Sequence, residues 1–307
     1  MQIKKLEVKS YSQPRKIYRS GKRETHCDYF MSEGDYAGFQ MRIAAVLSGD
    51  EKLKYAFTDL GGDVHSLTAI AIFSPDMDVL EFMELKEKQP YKGQRAIAKN
   101  TNFRFLFGGS AWSFAEEILK KEWTKEFCLN FLDEAGLSLD SLDPFMTAAE
   151  FLRSAFFTSY PKLAIWHEKC HKIAKQNGMI RSIYGARRLL PRLLYIGKDT
   201  EKKVVIEDQN ISKNTTVQNF ESVVIMRGMR EFHKFVKENG YKSKIFGMIH
   251  DAVEFYIEKE EKEFIVPKIL EIFQRLFDEY DGVIMVFELE ISDTSEGEVW
   301  GFGRKVA

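Results

Sequence analysis

Cysteine is scarce in this chain of 307 residues, and segments typical of membrane insertion are lacking. The three cysteines, Cys27, Cys128 and Cys170, are scattered and odd in number, which argues against a disulfide framework and suits a reducing compartment. No apolar run is long enough to span a bilayer, and the N-terminus has no signal-peptide pattern. We therefore expect a cytoplasmic protein without a membrane partner.

A strong overall charge is also lacking, because the formal net charge is −1. The total therefore does not indicate a nucleic-acid partner, but the distribution is uneven. Residues 1–23 carry eight Lys or Arg against one acid, and residues 286–298 carry five acids and no base. Such segregation would suit a basic groove on one face, and it would equally suit a locally biased solvated surface.

Strand-like segments are few, and helical segments separate them. Strands are predicted at 27–36, 243–249, 252–257 and 283–291, with a hairpin at 178–190 that has Gly185 in its turn. Helices are predicted at 39–47, 63–73, 93–109, 110–134, 145–158, 161–176, 211–239 and 260–279. This pattern predicts an α+β fold whose sheet strands come together from both ends of the chain.

Two carboxylates occupy similar positions at the ends of predicted strands. Asp251 lies in the apolar run GMIHDAVEFY (247–256), and Asp35 ends a strand just before a helix. A plain hairpin corner would explain Asp251, because Asp favours turns. Alternatively, two carboxylates on neighbouring strand ends could share divalent cations such as Mg²⁺, which prefers oxygen ligands and promotes phosphoryl transfer in pairs.

The predicted helix 93–109 carries a stripe with two kinds of chemistry. Arg95, Lys99, Phe103 and Phe107 recur every four residues, so they drift slowly around one face. Cations suit a triphosphate and flat apolar rings suit a base, so a nucleoside triphosphate could lie along this stripe. An amphipathic helix with its phenylalanines in the core would show the same spacing.

Six segments, in one order along the chain, resemble the motifs of family A DNA polymerases. They are DYAGFQMRIAAVLSGD (35–50), similar to the first motif; DVHSLTA (63–69), which follows it; RAIAKNTNFRFLFGG (95–109), similar to the nucleotide-binding helix of the fingers; YPKLAIW with GMIRSIYGARRLLP (160–191), similar to the connecting helix and hairpin; NTTVQNF (214–220), similar to the helix along the primer-template minor groove; and MIHDAV (248–253), similar to the third motif. Their ordered co-occurrence over residues 27–301 is highly specific.

The resemblance implies a template-directed DNA polymerase that adds dNTPs to the 3′-hydroxyl of a primer and uses two Mg²⁺ ions. Asp35 and Asp251 would hold the ions, with the main-chain carbonyl of Tyr36 as a further ligand. Lys99 would complete the catalytic set by donating a proton to the leaving pyrophosphate.

The resemblance also implies binding roles. Arg95 and Lys99 would hold the triphosphate, and His65 would reach the same phosphates. Phe103 would pack on the sugar, which in this family accompanies poor acceptance of dideoxynucleotides, and Phe107 would shape the pocket for the templating base. The residues expected to contact the primer-template are Asn214, Gln218 and His250.

Four positions depart from the family pattern, and one of them is Arg104, which replaces a glycine in the fingers helix. Gln40 replaces a glutamate that guards the sugar 2′ position, and Phe107 replaces a tyrosine bonded to that glutamate. Both members of one pair have changed together, which indicates a co-adapted nucleotide pocket and leaves ribose discrimination open. Ala252 stands where a glutamate usually follows the aspartate, so we expect weakened rather than abolished metal binding.

The resemblance further predicts how the chain divides. A basic segment (1–26) would come first. It would be followed by the first part of the palm (27–73), the fingers (74–158) and the second part of the palm (159–307). The palm would be an antiparallel sheet and the fingers helical. The chain begins 34 residues before Asp35, so thumb and exonuclease-like domains are expected to be absent. Either a second polypeptide would then supply them, as in a split polymerase of a bacterial cell or phage-infected host, or the chain would act alone as a distributive minimal polymerase.

Three other functions compete with this one. HEKCH (167–171) matches the zinc-peptidase pattern H-E-x-x-H, which would also need a third ligand. A single-subunit RNA polymerase shares the palm and fingers, and the residues at 40 and 252 favour it while Phe107 does not. A non-catalytic DNA-holding protein is the third alternative, but it would not need the two aspartates and the stripe cations.

Overall fold

The computed structural model describes residues 29–119, 144–195, 202–291 and 304–306. In chain order, the elements are β1 (Tyr29–Tyr36), α1 (Phe39–Ser48), α2 (Glu51–Thr58), α3 (Val64–Phe73), α4 (Val79–Leu85), α5 (Tyr91–Leu106), α6 (Ala111–Phe114), α7 (Pro144–Ser159), α8 (Pro161–Asn177), β2 (Met179–Arg181), β3 (Arg187–Leu189), α9 (Lys202–Glu238), β4 (Lys244–Ile249), β5 (Ala252–Glu258), α10 (Lys262–Phe273), β6 (Phe287–Ile291) and β7 (Arg304–Val306). A π-helical turn (Ala115–Leu119) follows α6, and short 3-10 helices span Pro191–Tyr195, Lys259–Glu261 and Asp278–Tyr280.

The described chain divides into two compact units. The sheet unit takes its residues from Met1–Phe39, Glu221–Leu276 and Met285–Ala307, and the helical unit takes its residues from Gln40–Phe220 and Phe277–Ile284. In the described residues, no helix is long and apolar enough to cross a membrane. The combination of helices with an antiparallel sheet confirms the predicted α+β class.

Antiparallel pairing builds the sheet unit. Within the described residues, its strand order is β4-β5-β1-β6-β7, so β1 lies between β5 and β6 and pairs antiparallel with both. The predicted assembly of the sheet from both ends of the chain is therefore confirmed. The hairpin β4-β5 has a two-residue loop, because Ile249 pairs with Ala252.

The two faces of the sheet differ in chemistry, because side chains alternate along each strand. The core face carries buried residues from all three inner strands, such as Tyr36, Phe255 and Phe287. Helix α10 packs on this face, and the rings of Phe273 and Phe287 stack with centroids 4.5 Å apart. Gly34 permits this packing, because a Cβ there would lie 2.3 Å from the Phe287 ring.

The opposite face, which we call the acidic face, carries Glu33, Asp35, Glu254, Glu288 and Glu290. Strand register places Glu33 directly opposite both Glu254 and Glu290, and Asp35 opposite Glu288. Like charges in directly opposed cross-strand positions destabilise a sheet. The register thus gathers these five carboxylates on one face of the sheet.

In the helical unit, α3, α4 and α5 share a small core of Ala69, Ile70, Phe82 and Ala98. A second cluster, built from Cys170, Ala174, Ile180, Leu190 and Leu193, joins α8 to the β2-β3 hairpin. In that hairpin the turn contains Gly185 with φ of 88°, as predicted. Burial of these apolar side chains stabilises each cluster.

Some predicted elements differ from those observed. Helices α2 and α4 were not predicted, although Asp50 and Asp78 cap their N-termini by accepting backbone N–H bonds. Helix α9 begins nine residues earlier than predicted, at Lys202 rather than 211. Helix α10 ends at Phe273 rather than 279, and most of the predicted helix 110–134 lies outside the described residues.

Candidate functional site

The two predicted metal-binding aspartates lie in the sheet unit, at the same end of neighbouring strands. Gly34 of β1 pairs with Val253 of β5. Continuing that register by one residue puts Asp35 opposite Ala252, which directly follows Asp251. Asp251 occupies the two-residue loop between β4 and β5, so it lies at a hairpin tip as the sequence predicted.

The donor set at this end of the sheet suits Mg²⁺ rather than a softer metal. Asp35 and Asp251 offer carboxylate oxygens, and Glu288 lies opposite Asp35 on β6. Within the described ranges, no three His, Cys, Asp or Glu side chains form a group that could hold a metal ion by themselves. Mg²⁺ does not need such a cage, because it is usually bound by one or two carboxylates together with water and substrate phosphates.

His250 has an unusual backbone conformation. Its φ is 57°, in the left-handed region that residues with a Cβ seldom adopt. Such backbone strain is concentrated at functional sites, where it fixes the direction of neighbouring side chains. Here it shapes the tight loop that carries Asp251.

In the helical unit, the predicted stripe lies on the accessible face of α5. Lys99 and Phe103 are exposed, Arg95 and Phe107 are half-buried, and the core side of the helix is formed by other residues. Phe103 is 39% exposed, so the alternative in which both stripe phenylalanines lie in the core is wrong for this residue. An exposed ring beside two cations is suited to a ligand with both apolar and anionic parts.

Asp63, at the N-terminus of α3, holds Arg95 in place. Its Oδ1 accepts hydrogen bonds from Arg95 Nε at 3.2 Å and from Nη2 at 3.0 Å. Lys86 Nζ lies 3.0 Å from Oδ2, and Asp63 also caps α3 by accepting from Ser66 N. Burial alone would raise the pKa of Asp63, but the bonds from Arg95 and Lys86 outweigh it and hold the pKa well below its usual value.

The cluster therefore keeps one carboxylate and two cations together, and its net charge stays positive. A guanidinium has five N–H donors. Asp63 uses two of these on one edge of Arg95, which leaves the others for an anion. The contact orients the arginine without using up its donors.

His65 lies beside this cluster. Its Nδ1 lies 2.9 Å from Asn102 Nδ2, and its ring centroid is 5.7 Å from that of Phe103. Burial lowers the pKa of His65 to about 4, and the positive charges of Arg95 and Lys99 act in the same direction while Asp63 opposes them. His65 is therefore neutral at physiological pH.

The remaining predicted residues are distributed as follows. Tyr36 ends β1 with its hydroxyl donating to Phe273 O at 2.8 Å, so its ring is fixed in the core of the sheet unit. Gln40 is half-buried near the start of α1. Asn214 and Gln218 lie one turn apart on α9, and Gln218 is exposed. The Oδ1 of Asn214 is buried and has no hydrogen-bond partner among the described residues.

The HEKCH segment lies on α8 in surroundings that do not suit zinc. The His167 ring is buried, with the Phe157 and Trp166 rings 5.6 Å and 5.3 Å away. His171 Nε2 lies 3.5 Å from Lys213 Nζ, so a cation occupies the space beside it. Within the described part of the chain, no third ligand completes a site.

Three residues near the candidate site were missed by the sequence reasoning. Asp63 and Asn102 lie inside quoted motifs, but only His65 and the stripe received roles there. A capping pattern could have identified Asp63 as the start of a helix, although its hold on Arg95 could not be read from spacing. Glu288 lay in the acid-rich stretch, but only strand register sets it opposite Asp35.

Comparisons with a family profile, with curated proteins and with solved structures all match DNA polymerases. The profile of DNA polymerase family A matches residues 5–296. DNA polymerase I of Caldicellulosiruptor bescii is 27% identical over 238 residues, which are 77% of this chain and 23% of that protein. The thermostable DNA polymerase I of Thermus aquaticus is 24% identical and covers 79% of this chain and 24% of its own length. The chain thus spans about a quarter of these curated relatives.

Among solved structures, the POL domain of Pol1 from M. smegmatis, in complex with DNA primer-template and dNTP, has a similar fold. The TM-score is 0.65 with 20% sequence identity, covering 87% of this chain and 40% of that one. At this identity the likeness concerns the fold alone. The described elements therefore have the architecture of a polymerase domain.

Proposed function

Because this chain belongs to DNA polymerase family A, we propose that it is a template-directed DNA polymerase that adds dNTPs to the 3′-hydroxyl of a DNA primer. The observation that carries the proposal is the pairing of Gly34 with Val253. Asp35 directly follows Gly34, and Asp251 lies two positions before Val253, so the two aspartates are at the same end of neighbouring strands. Primer-template DNA and dNTPs are the partners it requires.

The carboxylates of Asp35 and Asp251, with the carbonyl of Tyr36, would hold two Mg²⁺ ions. When bound, these ions would lower the pKa of the primer hydroxyl and neutralise charge on the reacting phosphate and the leaving group. The strand pairing supports this assignment, because it brings both aspartates to the same end of neighbouring strands, and carboxylate oxygens are ligands that Mg²⁺ prefers.

The helical unit would bind the nucleotide. Arg95, braced by Asp63, and the exposed Lys99 would hold the triphosphate through charge-assisted hydrogen bonds. Lys99 would also donate a proton to the pyrophosphate as it leaves. Phe103 would pack on the sugar, and Phe107, near Gly108 at the end of α5, would border the templating base.

Helix α9 would contact the primer-template. Asn214 is half-buried on this helix, and its side-chain amide has the chemistry to pair with base edges in the minor groove, where the guanine amino group is the only donor. Gln218, one turn further and exposed, can reach the same groove. His250 would touch the primer end from the loop that it shares with Asp251.

Primer extension tests the proposal. The protein is incubated with a primer-template, Mg²⁺ and either dNTPs or NTPs, and the variants Asp35→Asn and Asp251→Asn are measured in parallel. The matched control is Glu263→Gln, which removes an exposed carboxylate from α10 of the same unit. We expect extension with dNTPs that is retained by the control and lost in both aspartate variants.

Two results would count against it. Extension with NTPs in preference to dNTPs would favour the RNA polymerase alternative. Unchanged incorporation by Asp251→Asn, with circular dichroism showing a folded protein, would end the catalytic assignment.

A further inference from the structure

We propose that Asn102, braced by Thr68 and Tyr160, is a positioning residue that fixes the tautomer of His65, so that His65 Nε2–H serves as a neutral hydrogen-bond donor to the triphosphate. This inference rests on the proposed function. It concerns a buried chain of polar side chains that the sequence motifs did not reveal.

This series of hydrogen-bonded side chains links three helices. The Tyr160 hydroxyl, at the N-terminus of α8, lies 2.6 Å from Thr68 Oγ1 of α3. Thr68 Oγ1 lies 2.9 Å from Asn102 Oδ1 of α5, and Asn102 Nδ2 lies 2.9 Å from His65 Nδ1. Tyr160, Thr68 and Asn102 are completely buried, whereas His65 is only half-buried.

The direction of the hydrogen bonds follows from the orientation of the Asn102 amide, whose Oδ1 lies at Thr68 Oγ1 and whose Nδ2 lies at His65 Nδ1. Thr68 Oγ1 donates to Val64 O and Asn102 Oδ1, so its one proton is in use and the Tyr160 hydroxyl donates to Thr68 Oγ1. The single Thr68 proton is then shared between Val64 O and Asn102 Oδ1, each 2.9 Å away. Because the Asn102 oxygen faces Thr68, its NH₂ group faces His65 and donates to Nδ1. Nδ1 carries no proton, so the proton of the neutral ring is on Nε2.

The charges around His65 explain why a fixed neutral donor is useful. Arg95 and Lys99 already supply two positive charges, and Asp63 is engaged by Arg95 and Lys86. Burial lowers the pKa of His65, and the charges of Arg95 and Lys99 lower it further, so a third cation is disfavoured there. A neutral imidazole can still donate one hydrogen bond to phosphate, provided that its proton is on the outward nitrogen.

The same helix shows that buried polarity does not by itself require such a chain. Thr101, next to Asn102, is completely buried, and its hydroxyl has no hydrogen-bond partner in the described residues. The series through Asn102 differs because every member has a hydrogen-bond partner and because it ends at the half-buried His65, which feels the charges of Arg95 and Lys99. Thr101→Val is therefore a matched control for loss of a buried hydroxyl.

The first measurement is nitrogen NMR of the free protein labelled at histidine, with the His65 signals assigned by their loss in His65→Gln. At pH 7 we expect an unprotonated Nδ1 and a protonated Nε2. Thr68→Val and Tyr160→Phe should reduce the preference for this tautomer, and Thr101→Val should leave it unchanged. A His65 that is protonated on Nδ1 in the wild-type protein would overturn the inference.

The second measurement uses Asn102→Asp. A carboxylate there accepts from Nδ1–H, so the neutral ring would present an unprotonated Nε2 to the phosphates until the ring gains a second proton. We expect KM for dNTP to be roughly tenfold higher at pH 8 than in the wild type, which corresponds to about 1.4 kcal/mol, and to fall towards the wild-type value at pH 6. Wild-type KM should be nearly flat over this range.

A flat KM profile in a folded Asn102→Asp variant would overturn the inference. If that variant does not fold, the tautomer of His65 and KM for dNTP are measured in Thr68→Val and Tyr160→Phe instead. Both quantities unchanged from the wild type would overturn the inference. If the wild-type protein extends no primer, the proposed function fails, and the NMR experiment still shows whether Asn102 sets the tautomer.

Discussion

Replacing Asp63 with asparagine removes the charge that orients Arg95 while keeping the shape of the side chain. Asparagine caps a helix about as well as aspartate, so the N–H of Ser66 keeps its acceptor. The ion pairs with Arg95 and Lys86 are lost. The variant therefore separates the hold on Arg95 from the start of helix α3.

The size of the effect can be worked out from the contact. Hydrogen bonds to charged groups contribute about 1.5–3 kcal/mol, and the Arg95 side chain is 31% exposed, so solvent screening favours the lower end. About 1.4 kcal/mol is a factor of ten. Arg95 would have to be ordered by the nucleotide itself, so we expect KM for dNTP to rise about tenfold with kcat largely unchanged.

Steady-state single-nucleotide incorporation provides the assay. Asp78→Asn is the matched control, because Asp78 caps α4 in the same way but is exposed and receives backbone bonds only. This control should leave KM unchanged. An unchanged or lower KM for Asp63→Asn would show that Asp63 competes with the triphosphate for Arg95, and would refute the reasoning.

Acid unfolding checks the same contact independently of activity. The pKa of Asp63 is depressed in the folded protein, so its stabilising contribution is complete above the unfolded value of about 3.9 and is lost as pH falls towards the folded value. Wild type should be more stable than Asp63→Asn at pH 7 in urea. The two should converge as the pH is lowered below about 4, and a constant difference would contradict the ion pairs.

Three further predictions concern other parts of the molecule. Gly34→Ala should lower the free energy of unfolding by about 1–3 kcal/mol, because the new methyl would meet the Phe287 ring; urea denaturation measures this, and adding Phe287→Leu should recover part of it. Mg²⁺ should raise the melting temperature of the wild type and EDTA should abolish that rise, whereas a rise that persists in Asp35→Asn or Asp251→Asn would exclude these residues as ligands. Phe103→Tyr should increase incorporation of dideoxynucleotides relative to dNTPs, and an unaltered ratio in primer extension would remove Phe103 from the sugar contact.

Much of the fold was determined by local pattern in the sequence. Helix α5 and its stripe followed from four-residue spacing, and the Asp251 corner followed from turn chemistry between two apolar runs. The order of strand-like and helical segments indicated the α+β class, and the ordered motifs indicated the family. Helices α2 and α4 were not predicted because they are short. Their capping residues, Asp50 and Asp78, are of a type that is also common in loops. The expected second polypeptide and the palm and fingers boundaries stay predictions.

The supporting contacts of the site were decided only by the tertiary structure. Asp63 meets Arg95 across 32 positions and His65 meets Asn102 across 37, because packing of α3 on α5 brings them together. Asp35 meets Glu288 only because β1 pairs with β6 in one register, and a slip of one residue would turn every side chain to the other face. Residue types and spacing set which chemistry is possible in this chain, whereas the partner of each group depends on which surfaces pack, and no local pattern encodes that.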